Sequence, residues 1–549
     1  MDYPGFKRGR TGYPRFLGFL FRRVLDPLGF SLADADPIVV RHVRQICYLW
    51  YKYELPYTQE QERGLESSFI ATDASLPVEV PDCPIIMGSR NLIARVVSEF
   101  SLMEISPRHG PGAVATGERA WEKWRFKRQY LQIERVFPFS EWYIPSLSYL
   151  AERKDPLGYL EVHEAGTARA VFVPKDSRGP RLISCEPLEY QWIQQGIAAE
   201  LIYCINSSKY TSGRVNFTHQ SVNRSYALAG SAFGNWVTLD MKDASDRVST
   251  SLVKALFANT HVLDYLLASR TLSTVLPSGR RVELRKFAPM GSALCFPVES
   301  LVFFALAVNV LVHHVGYTLE EACSRVKVYG DDIICGFEDY EAIMQYFPYV
   351  GLKFNEGKCC TGGGFRESCG MDAYRGENVT PVKFRTRWSR QRRAETLSSW
   401  IEYSNMLDRM GYCGAATFVE LALKDVWRNL DIPVVGHEHK ALPYLAFRRT
   451  YHLLHDSVES LRIRWNHKFQ RQEWLRWHIE GVRISKHLHP WDRLLANLAS
   501  GMRPRVALPK RNVSFPVERK WYEDVEVATR VTTFPVRRRV TLTRRWCSE

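Results

Sequence analysis

The sequence predicts an α+β chain of two or three domains, and three observations carry that reading. Its 549 residues exceed what one hydrophobic core ordinarily organises. Short strand-like apolar runs alternate with longer helical runs as far as about residue 388, beyond which the texture turns helical. The stretch from Val326 to Cys335 has two apolar arms joined at Gly330-Asp331, a pair suited to the positive φ that tight β-hairpin turns need.

The elements follow in order. Residues 1–150 mix basic, aromatic and proline-containing segments, without an internal repeat and with little visible chemistry. Arg169–Pro174 and Leu182–Cys185 read as strands on either side of a basic loop, Lys175–Arg181. Tyr190 to Ile202 has helical periodicity, and the strand Trp236–Leu239 ends on Asp240. Ser245 to Phe257 reads as one helix, with Val248, Leu252 and Leu256 on one face and Ser245 as its cap. Leu276–Arg280 is a turn between two strands, and Gly291-Ser292 leads into an apolar helix near 297–313. Four further helices are expected at 395–410, 415–430, 440–456 and 457–480. From 501 onward, arginines and β-branched residues punctuated by Pro504, Pro509, Pro516 and Pro535 read as a strand-and-loop tail.

Composition narrows the function. A hydrophobic content of 45% excludes a disordered chain. Lys and Arg outnumber Asp and Glu by 74 to 59, for a net charge of +15, which favours a polyanionic partner: nucleic acid or an acidic membrane surface. Twelve cysteines contain no CxxC pair, which argues against zinc and for a reducing compartment. Phe16–Phe21 is too short for a signal core, and the apolar run Leu301–Val312 is about half a membrane span and contains Asn309. A soluble, cytosolic protein without a membrane partner is expected.

The chemistry centres on carboxylates. Asp331 and Asp332 repel one another unless a cation neutralises them, and Mg²⁺ is the hard cation that suits a few carboxylates plus substrate phosphates. A sheet that set the end of the Asp240 strand beside this hairpin would join three carboxylates, the requirement of two-metal phosphoryl transfer. Lys175, Arg178 and Arg181 place three cations where a triphosphate needs them. Gly291-Ser292 would let backbone approach a template strand or ribose. Taken singly, each feature has an ordinary reading: a surface turn, a strand-end aspartate, a solvated basic loop, a helix start.

Together these residues resemble the motif order of viral RNA-dependent RNA polymerases, and more narrowly the replicase (β) subunit of levivirus-like positive-strand RNA bacteriophages. The matching segments are Val173–Ser177 with Arg181–Ile183, Glu186-Pro187, Asn216 and Gln220, Thr238–Asp240 with Ala244–Asp246, Pro289–Ser292, Glu299–Leu301 and Tyr329–Asp332. The most specific is Phe365–Gly370, continued by Tyr374–Gly376 and Val379–Pro381. The likeness covers about 165–390. Met241-Lys242-Asp243 and Gly291-Ser292-Ala293 depart from the family's pattern without touching the three aspartates.

The resemblance implies a right-hand polymerase: fingers in 1–229, a palm with an antiparallel sheet in 230–390 (258–288 a fingers-like insertion), a helical thumb in 391–500 and a basic tail in 501–549. It implies two Mg²⁺ ions, or Mn²⁺ in their place, on Asp240, Asp331 and Asp332. Lys175, Arg178 and Arg181 would lie over the triphosphate; Asp246, Gly291 and Ser292 near ribose or template; and Lys358 would assist pyrophosphate departure. Implied partners are an RNA template, nascent RNA, nucleoside triphosphates, host elongation factors Tu and Ts and a small-subunit ribosomal protein, in the bacterial cytoplasm. Two rivals are a reverse transcriptase, against which the 365–381 string argues, and a non-enzymatic RNA-binding repressor, against which the intact carboxylates argue. Aromatic residues Trp465, Phe469, Trp474 and Trp477 interleave with Arg462, Arg464, Lys468, Arg471 and Arg476, either as a helix core stripe or as an RNA face. Arg537–Arg539 and Arg544-Arg545 would add salt-sensitive RNA affinity.

Overall fold

The computed structural model describes residues 9, 12–110, 112–119, 122–123, 126–143, 160–428, 432–437, 445–450, 462–483 and 538–547. It mixes helices with several small sheets, in agreement with the α+β expectation.

Helix α1 (Pro37–Tyr48) starts where the Asp36 side chain accepts the Ile38 N–H, with Pro37 at a position whose missing N–H costs nothing. Its Val39, Val40 and Val43 pack with Phe21, Val24, Tyr374 and Val379. A reciprocal capping box between Thr58 and Gln61 starts α2 (Gln59–Ala74). Helix α3 (Pro84–Val96) lies so close to the main core helix that a Cβ at Gly88 would come within 2.2 Å of Asn309 Oδ1.

Strands β1 (Thr167–Asp176) and β2 (Gly179–Cys185) pair antiparallel, so the expected basic loop is a tight tip with Ser177-Arg178 between the strands. Helix α4 (Leu188–Ser207) and helix α5 (Ser221–Phe233) precede β3 (Trp236–Asp240). The single helix expected from Ser245 is two: α6 (Ala244–Arg247) and α7 (Thr250–Phe257). Val248 is extended between them, and Ser249, not Ser245, caps the second by accepting the Leu252 N–H. A hydroxyl next to an apolar run satisfies an orphan donor better at a helix start than inside it. Strands β4 (Ser273–Val275) and β5 (Arg281–Glu283) flank the expected turn and extend the basic hairpin into a sheet of order β2-β1-β4-β5.

Helix α8 (Cys295–Val310) is buried at every residue but Phe296. Its stretch through Val315 is long and apolar enough to cross a membrane, yet 89% of that window is packed inside the protein. Asn309 donates to the Ala305 carbonyl at 2.9 Å, which satisfies its amide without solvent. Against this helix lies β6 (Val326–Tyr329), joined by Gly330-Asp331 to β7 (Asp332–Gly336), and the two form a sheet with β3 in the order β3-β7-β6. Strands β8 (Phe365–Ser368), β9 (Met371–Tyr374) and β10 (Glu377–Asn378) form a meander.

Helices α9 (Ala394–Arg409) and α10 (Cys413–Val426) match two expected helices; where the other two were expected, the described residues form strands. Within 440–456 the described part holds strand β12 (Phe447–Arg449), parallel to β11 (Val434–Gly436). The stretch 457–480 holds β13 (Ile463–Asn466) and the start of β14 (Arg471–Arg483). Strand β15 (Arg538–Cys547), expected in a separate tail, pairs with β14 along ten residues. The aromatic spacing that suggested a helix comes from a hairpin, with Trp465 and Phe469 exposed near its tip and Trp474 buried on the returning strand. Residues 484–537, including the tail prolines and Arg537, lie outside the described residues.

Two buried acids in the core tie stability to pH. Glu186 and Glu189 flank the start of α4, and neither oxygen of Glu189 has a hydrogen-bond partner among the described residues. Burial lifts both pKa values from 4.5 to about 7, and Arg128 offsets only part of this at Glu189. The folded state therefore holds these protons more tightly than the unfolded chain, and stability falls as pH rises between those values. Glu189→Gln is expected to leave urea unfolding unchanged near pH 4.5 and to stabilise the chain by about 3 kcal/mol at pH 8, followed by circular dichroism.

Candidate active site

The three aspartates are brought to one end of the β3-β7-β6 sheet by register alone. Asp240 is the direct cross-strand neighbour of Asp332, and Tyr329 pairs with Asp332 from the other side, leaving Asp331 in the two-residue turn. Gly330 has φ +61, the left-handed first position this turn requires, and a Cβ there would meet the Phe296 ring at 2.3 Å. Its N–H donates to Ser300 Oγ at 3.2 Å, which fastens the tip to α8.

Crowding and mutual repulsion show in the titration of this cluster. Burial, then the charges of Asp331 and Asp240, push Asp332 up to about 7, although its Oδ2 accepts the Cys369 N–H at 2.7 Å. Asp331 stands at an exposed tip, but surrounding protein atoms and Asp240 raise its pKa, with Lys358 and Arg181 opposing. Asp240 accepts from Lys358 Nζ at 3.1 Å and from Asn355 Nδ2 at 2.9 Å. Desolvation disfavours the Lys358 ammonium, but Asp240 together with Glu367 and Asp331 outweighs it, and the pKa ends above its ordinary value.

Among the described residues no three His, Cys, Asp or Glu side chains already form a metal cage. Asp240 and Asp332 instead accept from protein donors, and the Lys358 ammonium is drawn to Asp240. An all-oxygen, anionic donor set restrained by register, with one cation already drawn to it, fits a hard divalent ion.

The basic tip lies within electrostatic reach of the acidic centre. The charges of Arg181 and Lys358 both bear on Lys175, and Arg181 also bears on Asp331. Arg178 is more restrained: it holds Asp176 at 2.9 Å and also bonds the Tyr51 hydroxyl. Asp246 is tied to the fully buried Lys286 at 3.0 Å and keeps part of its carboxylate exposed. Gly291 (φ +121) lies against β2, where a Cβ would stand 2.1 Å from the Ser184 carbonyl. Ser292 is buried, with its hydroxyl on Gln194 Oε1 at 3.1 Å.

Several contributors had no role assigned from the sequence, although Glu299 and Arg366 lie in segments that carried the resemblance. Glu299 is a buried acid beneath the tip, its pKa raised well above normal by burial and then by Asp331. An acid inside an otherwise apolar helix was the signal for it. Arg366 is almost fully buried and donates to the carbonyls of Trp236, Gly362, Gly363 and Phe365, which locks the 365–370 segment onto β3. The N-terminal region grips the basic tip: Tyr51 O accepts from Ser177 N, Tyr57 Oη donates to Asp176 O, and Gln61 Nε2 donates to Arg178 O.

A family model described as RNA replicase, beta-chain, matches residues 79–412, which contain this whole acidic centre. The chain belongs to the RNA replicase beta-chain family. Among its relatives, the RNA-directed RNA polymerase subunit beta of Enterobacteria phage SP is 36% identical over 227 residues, 41% of this chain and 38% of that protein. The subunit of the same name from Escherichia virus Qbeta is 31% identical over 303 residues, 54% and 48% of the two chains. The RNA-directed RNA polymerase beta chain of Escherichia phage MS2 is 31% identical over 209 residues, 38% and 36%. The matched stretch of this replicase-family chain thus spans less than half the length of each of these relatives.

The segment after the hairpin gives the site its rigidity. Arg366→Met in this replicase-family chain would leave four carbonyls without their donor and is expected to cost about 3 kcal/mol or more, read from the urea midpoint.

Proposed function

We propose that this chain is an RNA-dependent RNA polymerase that copies a single-stranded positive-sense phage genome from nucleoside triphosphates. The observation that carries the reading is the register pairing of Asp240 with Asp332 beside Asp331, inside the stretch matched by the replicase family. Relatives named as RNA-directed RNA polymerase subunits support it. In this reading the architecture is a right hand, with the β3-β7-β6 sheet in the palm, the basic hairpin in the fingers and α9–α10 in the thumb.

Asp240, Asp331 and Asp332 would hold two Mg²⁺ or Mn²⁺ ions, which would supply activation of the attacking hydroxyl and neutralisation of the phosphates. Lys175 and Arg181 set positive charge opposite the acidic tip, where a triphosphate is drawn in and oriented. Arg178, held by Asp176, shapes the tip more than it neutralises phosphate. Lys358, an ammonium within reach of the acidic centre, donates a proton to the departing pyrophosphate. Asp246, restrained by Lys286, faces the ribose, while Gly291 and Ser292 fix the loop beside it. The partners would be template and nascent RNA, with elongation factors Tu and Ts and a small-subunit ribosomal protein, in the infected cell's cytoplasm.

The test is incorporation of labelled ribonucleotides on a short RNA ending in cytidines, in host extract as well as with purified chain. Asp331→Asn is expected to lower metal-dependent synthesis by about a thousandfold while RNA binding persists; synthesis at the normal rate would remove the assignment. Lys358→Ala is expected to slow turnover by about a hundredfold with template affinity unchanged, and equal loss of both would point to misfolding.

A further inference from the structure

Beside the basic tip, the end of α1 and the segment after it build a surface that the acidic centre does not use. The rings of Tyr48 and Tyr51 stand 5.4 Å apart at 56°. Arg44 lies 5.0 Å from the Tyr48 ring and Arg178 4.7 Å from the Tyr51 ring. Lys383 Nζ reaches both, at 5.6 and 5.7 Å. With cations over both rings, the tyrosines orient positive charge instead of offering a free face to a base.

The cations differ in how they are balanced. Arg44 is paired with Asp372 and Arg178 with Asp176. Lys383 is half-buried and makes no ion pair or hydrogen bond among the described residues. Burial lowers its pKa; Asp372 and Glu367 oppose that, while Lys52 and Arg44 add to it. A cation held at such a cost gains most from an anion arriving from solution. The surface is continuous with the candidate active site, since Tyr51 O holds Ser177 N at 2.9 Å and the charge of Lys358 is felt at both Tyr51 and Lys175.

We infer that Tyr48, Tyr51 and Lys383 form a loading shelf for polyphosphate, with Lys383 as its principal binding residue. The ligand is the triphosphate of an incoming nucleotide or the pyrophosphate that leaves, and the inference rests on the polymerase reading above. Phosphate is favoured over an RNA strand because the stacking faces are already covered by cations.

The test titrates inorganic tripolyphosphate into the full chain by calorimetry, for wild type, Lys383→Gln and Lys383→Arg. Lys383→Gln is expected to weaken binding about tenfold, with Lys383→Arg restoring most of it. Equal affinity in all three overturns the shelf, as does a matching tenfold loss of RNA affinity in Lys383→Gln, which would make the surface an RNA path. Because this titration needs no catalysis, a wild type that binds through Lys383 but incorporates nothing counts against the polymerase reading alone. In the incorporation assay, a raised KM for nucleotide with kcat kept assigns the shelf to the entering triphosphate. A parallel weakening of pyrophosphate inhibition extends it to the product, and no change in either overturns it.

Discussion

Everything around the candidate active site answers one electrostatic constraint: three carboxylates held at the end of a three-stranded sheet. Strand pairing puts Asp240 across from Asp332 whether or not their charges agree, and the turn adds Asp331. The repulsion is met locally by Lys358, by the amide of Asn355 and by the N–H of Cys369. It is resisted mechanically by α8, which fixes the turn through Ser300 and leaves no room for a side chain at residue 330. A cluster that would relax apart if its strands slipped is held by a core that does not let them slip.

That constraint explains why distant parts of the chain converge here. The 365–370 segment supplies the N–H for Asp332 and is itself anchored by the buried guanidinium of Arg366. The N-terminal region, featureless as sequence, grips the basic tip through Tyr51, Tyr57 and Gln61. Its contribution is placement: it gives the tip that carries Lys175 and Arg181 a floor.

What could be read from the sequence depended on range. The hairpin, the turn at 276–280 and the buried apolar helix were legible because their signals are local: Gly330, Gly279 and an unbroken run of apolar residues. Ser249 displaced Ser245 as a cap because one extended residue, Val248, interrupts a periodicity that continues across it. Ser292 is oriented by Gln194 and Asp246 by Lys286, partners that no spacing rule predicts. The strands of 463–483 were misread because a hairpin's aromatic spacing can imitate a helical stripe, and their longest pairing partner is far along the chain.

That last pairing bears on how the protein is made. Strand 471–483 meets its short neighbour, 463–466, as soon as both leave the ribosome, but its ten-residue neighbour, 538–547, only after the intervening stretch has been translated. Until then one side of the strand is an open row of backbone donors and acceptors, which other nascent chains can also recognise. During synthesis this interval is the chain's window for misassembly, and its length is set by the ribosome's pace.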